Sequence, residues 1–356
     1  MRVRAVLCGY YGMGNAGDEA LLASLLQMLP QAVKPIVLSG DPERTHDRYG
    51  VEAVARKSVR VLKAIRSADA FIWGGGSLMQ DATSALNPVY YGGLMGLSRG
   101  LGLKTIAWAQ GIGPLNRSLT RELAQRSFGG CTGISIRDGK SAKFLHEWHF
   151  PYIQAPDPVW ALEGRTTDRL KSFTHPRIGV VLRTHAELTD TRLDRLTRGL
   201  QLLQQQTTAQ IILLPFQPIA DLALAERLQR RLNAPPNSQP CEILCLDDPR
   251  ELKGLFRDLD LTISMRLHGL IMAAAEGCRC WAIGYDPKIT ALMSELNLAG
   301  WELDAIPHDL EAIAQAWRTA LETGKVLSED QRYSLADRAL MHRDVLRIAL
   351  GFEEAV

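Results

Sequence analysis

The sequence predicts an α/β protein built from two Rossmann-like, doubly wound domains facing a cleft. Three observations carry this expectation. Short apolar runs alternate with longer stretches of helical period. The alternation breaks once, between Gln154 and His175, and then restarts. The chain also has 356 residues and 46% hydrophobic content, enough for two cores of ordinary domain size.

In the first half, strands are expected at Val3–Cys8, Pro35–Leu38, Ala70–Trp73, Thr105–Ala109 and Gly133–Ile136. Helices are expected at Asp18–Met28, Val59–Ser67, Ser118–Ser127 and Gly139–Trp148. Strands that are apolar throughout and flanked by helices mark a parallel sheet covered on both faces. Gln154–His175, with Pro156, Pro158, Gly164 and paired threonines, reads as a crossover linker. The rhythm resumes with strands at Ile178–Leu182, Gln210–Leu214, Glu242–Leu246, Leu261–Ser264 and Cys280–Ile283. The helices between them are read near Asp190–Gln205, Ile219–Leu232, Arg250–Arg257 and Leu270–Glu276. Domain limits are drawn at 1–165 and 166–327. A last helix, about Ser328–Ala349 in the segment 328–356, is read as able to cross back onto the first domain. Open α/β sheets bind ligands beyond the carboxyl ends of their strands, so functional residues are sought there.

Composition narrows the function. Lys+Arg 41 against Asp+Glu 39 gives a formal charge of +2, with no basic block, so nucleic acid is not an expected partner. An anion would have to be held by a few placed cations. The six cysteines lack a convincing zinc spacing, and no metal is expected. Cys8 and Cys245 sit in apolar, strand-like runs and read as small core residues. The chain starts directly on a strand, and neither a signal-peptide core nor a membrane-length apolar run is seen. The expected location is the cytoplasm, with a peripheral contact on the inner membrane face left open.

Strand Val3–Cys8 leads into Gly12, Gly14 and Gly17, spaced as G-x-G-x-x-G in a strand–turn–helix setting. A dinucleotide would place its pyrophosphate on the helix N-terminus. Asp18 and Glu19 fill that first turn and would repel it. Gly14, Asn15 and Asp18 better suit a neutral, hydroxyl-rich ligand such as a sugar, although a turn serving backbone geometry alone is also open. A second run, Gly74, Gly75 and Gly76, leaves backbone amides bare for a ligand or simply makes a tight turn, and is followed by Asp81. A third, Gly111-Ile112-Gly113, lies at the same predicted rim.

The second half supplies Arg266, His268 and Gly269 at the end of strand Leu261–Ser264. If the strand persists, the i, i+2 spacing points Arg266 and His268 the same way. Lys288 follows the next strand, and Arg137 ends Gly133–Ile136, where it could pair locally with Asp138.

In this order and spacing the segments Gly12–Glu19, Gly74–Asp81, Gly111–Pro114, Ser135–Asp138, Ser264–Gly269 and Tyr285–Lys288 resemble the polysaccharide pyruvyl transferases. The resemblance implies a GT-B-like fold, phosphoenolpyruvate as co-substrate, no cofactor, and a glycan acceptor. It implies a sugar such as N-acetylmannosamine on a lipid-linked disaccharide, although other members use galactose. Arg137, His268 and Lys288 are the positions it carries over, with Arg266 added from its placement and Gly269 beside it as donor-binding. Gly14, Asn15, Asp18, Gly75, Gly76 and Asp81 are assigned to the acceptor side. Arg137 is expected to reach across the cleft to the donor. The rival readings are a nucleotide-sugar glycosyltransferase of GT-B type, a dehydrogenase, and a non-catalytic glycan-binding protein.

Overall fold

The computed structural model describes residues 3–82, 84, 86–234 and 239–352. The chain divides into two compact units. One runs to Leu162 and takes in the chain from Ser334 onward; the other is Glu163–Tyr333.

The first unit holds a sheet of β1 (Val3–Cys8), β2 (Val33–Ser39), β3 (Glu52–Ala55), β4 (Ala70–Met79), β5 (Lys104–Ile112), β6 (Gly133–Ile136) and β7 (Ile153–Gln154). Every pairing is parallel, in the order β3-β2-β1-β4-β5-β6-β7. Residues Ala5–Cys8 of β1 are all buried, because helices cover both sheet faces. The second unit holds β8 (Arg177–Val181), β9 (Gln210–Leu213), β10 (Glu242–Ile243), β11 (Leu261–Ser264), β12 (Arg279–Gly284) and β13 (Ala299–Glu302). Its order, β10-β9-β8-β11-β12-β13, is parallel throughout. Both orders reverse direction once, at β1/β4 and at β8/β11. Such a switch point leaves a crevice at the carboxyl edge where α/β sheets take their ligands.

Three expectations need correction. Gly74–Gly76 do not follow a strand that stops at Trp73; they continue β4, which pairs with β5 as far as Met79–Ile112 through a register shift. The strand near Cys245 ends at Ile243, leaving Cys245 exposed, whereas Cys8 is buried as expected. The single terminal helix is two, Glu329–Ala339 and Met341–Leu350. The second packs Val345, Leu346 and Ala349 into the core around Trp108 of β5. The Trp108 indole N–H donates to the His342 carbonyl at 3.0 Å.

Candidate functional site

In the first unit the turn after β1 is built from inside. Gly12 has φ +67°, and a Cβ there would come within 2.0 Å of Ser39 Oγ, so only glycine fits. Its N–H donates to Glu19 Oε1 at 2.7 Å. Glu19 is 4% exposed and also accepts from Arg48 at 3.1 Å. Burial raises the Glu19 carboxyl above its ordinary range, against the pull of the Gly12 amide and Arg48. The turn thus carries its own anion. Asn15 caps the helix Ala16–Met28, its Oδ1 accepting from the Gly17 amide at 3.1 Å. Gly14 faces open space.

The structure brings Asp18 and Gly76 together: a Cβ on Gly76 would lie 3.5 Å from Asp18 Oδ1. Gly74 and Gly75 are buried against Tyr11 and Leu21, so close packing explains both. Asp81, 7% exposed, is taken up by the protein itself. It accepts from the Asn116 amide and side chain, the Arg117 amide and the Thr120 hydroxyl, at 2.6–3.1 Å. Four donors fill the lone-pair sites of a carboxylate and leave none for a sugar hydroxyl. Burial alone would raise the Asp81 carboxyl, but these bonds, with the Arg117 charge, hold it below the ordinary range.

Arg137 follows β6, and its partner is not Asp138. Asp138 caps the helix Gly139–Glu147 through the Ser141 amide at 2.7 Å. Arg137 Nη1 instead meets Asp157 Oδ2 at 2.5 Å, with side chains 7% and 6% exposed. Asp157 also accepts from the Val159 amide, and the neighbouring Pro156 carbonyl lies 2.9 Å from His342 Nε2. A Cβ on Gly111 would touch Ser77 Oγ and approach Asp138 Oδ2 and Arg137 Nε, so these groups share one place at the ends of β4, β5 and β6.

In the second unit, β11 ends at Ser264, whose hydroxyl bonds the Arg266 amide and carbonyl, both at 3.0 Å. Arg266 is the cap residue, and His268 lies in the first turn of the helix Leu267–Ala275. The strand does not persist, so the expected i, i+2 alignment of Arg266 with His268 does not apply. Gly269 is buried; a Cβ there would sit 2.6 Å from Ser264 Oγ. Arg266, 9% exposed, is committed to Asp221, 2% exposed. Arg266 Nε and Asp221 Oδ1 are buried without hydrogen-bond partners. Lys288 is half-buried in the first turn of the helix Pro287–Leu296, capped by Asp286 at 2.8 Å.

A cation that the sequence analysis overlooked stands at this edge. Arg183, two residues beyond β8, donates from Nη1 to the Tyr285 hydroxyl at 2.7 Å, its guanidinium 5.2 Å from the ring centroid. His185 packs on the same ring at 4.6 Å. Since β11 lies between β8 and β12, the Arg183–Tyr285 bond bridges over the strand end from which Arg266 and His268 leave. Among the described residues no carboxylate pairs with Arg183. Its signal in the sequence is the one that flagged Arg137 and Arg266, an arginine just beyond an apolar strand.

Burial pushes the Cys8 and Cys241 thiols up to about 12, as expected of core residues rather than nucleophiles. Among the described residues no three His, Cys, Asp or Glu side chains converge as metal ligands, and no helix is long and apolar enough to cross a membrane.

Known structures share this fold at low sequence identity. A UDP-N-acetylglucosamine 2-epimerase from Listeria monocytogenes superimposes with TM-score 0.68 at 10% identity, covering 100% of this chain and 98% of that one. The UDP-GlcNAc 2-epimerase of Methanocaldococcus jannaschii gives 0.65 at 10%, covering 99% and 100%. A glycosyltransferase from Rickettsia africae gives 0.52 at 13%, covering 99% and 97%. The fold is therefore GT-B-like, with two Rossmann-like units. No curated protein sequence matches the chain significantly. The profile of the polysaccharide pyruvyl transferases matches residues 15–287, from the cap Asn15 to the helix start at Pro287. This span takes in the helix that Asn15 caps, Arg137, the β11 edge and the approach to Lys288, and the chain belongs to the polysaccharide pyruvyl transferase family.

Proposed function

We propose that this transferase moves pyruvate from phosphoenolpyruvate to two hydroxyls of one sugar in a cell-surface glycan precursor, as a cyclic ketal. The carrying observation is the cationic edge at the β8/β11 switch point, where Arg183, His268 and Lys288 stand at neighbouring strand ends. Phosphoenolpyruvate is a small molecule with a carboxylate and a phosphate, and such an edge suits both anions. Arg183 takes over the donor contact first expected of Arg266, whose charge is balanced by Asp221. A guanidinium fork fits carboxylate or phosphate oxygens, and Lys288 adds a compact charge. Gly269 supports this edge by letting the helix pack on Ser264.

The chemistry balances without a redox step. A proton added to the methylene carbon of phosphoenolpyruvate makes it a methyl group and leaves an oxocarbenium-like carbon, which one sugar hydroxyl attacks. The C–O bond to phosphate then breaks, and the second hydroxyl closes the ketal. The two hydroxyl protons are accounted for, one on the methyl group and one on the phosphate. His268 is proposed to exchange these protons, since an imidazole can both give and take a proton through its ring nitrogens. In the first unit, Arg137 is proposed as an anion contact held in place by Asp157, and Gly14, Asp18 and Gly76 as acceptor contacts. Asn15 joins them through whichever amide hydrogens its capping role leaves. An N-acetylmannosamine residue on a lipid-linked disaccharide is the proposed acceptor, and the cytoplasm, where phosphoenolpyruvate is made, the proposed location.

The test is phosphate release from phosphoenolpyruvate with an N-acetylmannosamine-containing acceptor, with product mass read in parallel. One ketal-linked pyruvate per phosphate is expected. No phosphate with any of several sugars, together with tight binding of a nucleotide-sugar, would replace this reading with glycosyl transfer.

A further inference from the structure

Away from the residues treated so far, the carboxyl edge of the first unit carries a guanidinium boxed by aromatic rings. Arg56 directly follows β3, and its amide donates to the Ser39 carbonyl at the end of β2. Its guanidinium lies 5.5 Å from the ring centroid of Tyr10, which follows β1, and 5.2 and 5.8 Å from those of Tyr90 and Tyr91 in the helix Leu86–Gly100. Nη2 donates to the Tyr91 hydroxyl at 3.0 Å, and the Tyr90 hydroxyl donates to the Arg56 carbonyl at 2.7 Å. Nε is buried without an acceptor. Among the described residues neither Nε nor Nη1 finds an acceptor, and no carboxylate pairs with this charge.

Elsewhere in the same unit the half-buried Arg48 and the buried Arg137 are matched by Glu19 and Asp157. Here the rings hold the cation through their faces, which fixes the guanidinium without neutralising it. Tyr10 is 37% exposed, so part of its ring stays open beside the charge. A half-open aromatic ring accepts the apolar face of a sugar, and a fixed, uncompensated guanidinium accepts an anion.

We propose that Arg56, Tyr10, Tyr90 and Tyr91 form a subsite for a sugar that itself carries an anion, a phosphate or a carboxylate. The subsite deepens the proposed function, because such a sugar would be part of the glycan acceptor. It makes the transferase selective for charged over neutral acceptors.

The experiment is calorimetric titration of the full chain with glucose, glucose 1-phosphate, glucuronate and inorganic phosphate. A hydrogen-bonded charge is typically worth about ten- to a hundredfold in affinity. At least one anionic sugar should therefore bind about tenfold or more tighter than glucose, and the winning probe identifies phosphate or carboxylate as the group. Arg56→Gln should erase the advantage, and Arg56→Lys should keep only part of it. Equal binding of glucose and both anionic sugars, or binding of none, overturns the proposal. So does an advantage that survives in folded Arg56→Gln, or, if that variant fails to fold, one unchanged in Arg56→Lys. Inorganic phosphate binding as tightly as the sugar phosphate overturns the sugar half. Phosphate release from phosphoenolpyruvate is read on the same samples. Its absence alongside an Arg56-dependent preference sinks the pyruvyl reading alone, and turnover without that preference sinks the subsite alone.

Discussion

His342 and Pro156 are tied at 2.9 Å, ring nitrogen to carbonyl oxygen, which fixes the last helix to the loop that bears Asp157. Burial holds the His342 imidazole down to about 4 from 6.5, against the pull of the Pro156 carbonyl and Asp157 and with help from Arg137. The fold therefore keeps this ring neutral while the unfolded chain protonates it. The stabilisation is fully present above pH 6.5 and is lost as pH falls toward 4. Chemical denaturation across that window should show about 3 kcal/mol of lost stability, and His342→Gln should flatten the slope.

Asp157→Asn removes the carboxylate charge that meets the buried Arg137 guanidinium at 2.5 Å. Stability should drop by about 3–5 kcal/mol. Arg137→Lys keeps the charge and loses the fork, so it should cost less stability while weakening binding of an anionic ligand. Thermal melts and a binding titration on both variants separate the two roles. Unchanged anion affinity in Arg137→Lys would leave the arginine a structural part only.

Arg183 and Arg266 should part company on substitution. Arg183→Met, at a half-buried edge, is expected to leave the melting temperature nearly unchanged and to raise the KM for phosphoenolpyruvate about tenfold or more. Arg266→Met strands Asp221 without its partner and should cost about 3–5 kcal/mol in stability. The reverse pattern would return the donor contact to Arg266.

His268→Ala should lower turnover by about 10²–10⁴ with the fold intact, the usual span for a general acid–base group. The check is the steady-state rate beside an unchanged circular dichroism spectrum. Near wild-type turnover would remove His268 from the chemistry.

Much of the architecture is legible in the sequence because parallel strands buried on both faces carry short unbroken apolar runs, as Ala5–Cys8 of β1 and Ile106–Ala109 of β5 do. The extended β4 was harder to read, since Gly74–Gly76 have no side chains to show a strand pattern; their reason lies in Tyr11 and Leu21, distant in sequence. Rim residues could be located, but their pairing could not. That Arg266 is matched by Asp221 and Arg137 by Asp157 depends on helices and loops that arrive 45 residues before and 20 residues after them. Arg183 carried the strand-end signal and lacked only a motif around it.

The helix Met341–Leu350 packs on β5 and β6, yet it is synthesised only after the whole of the second unit. The whole segment Glu163–Tyr333 is synthesised in between. At about 5–20 residues per second, the first sheet waits on the order of ten to thirty seconds with Trp108 uncovered. During that interval the nascent chain presents a bare apolar face, a natural stopping place for a chaperone. A truncation that spares every strand but stops before Met341 would make that exposure permanent.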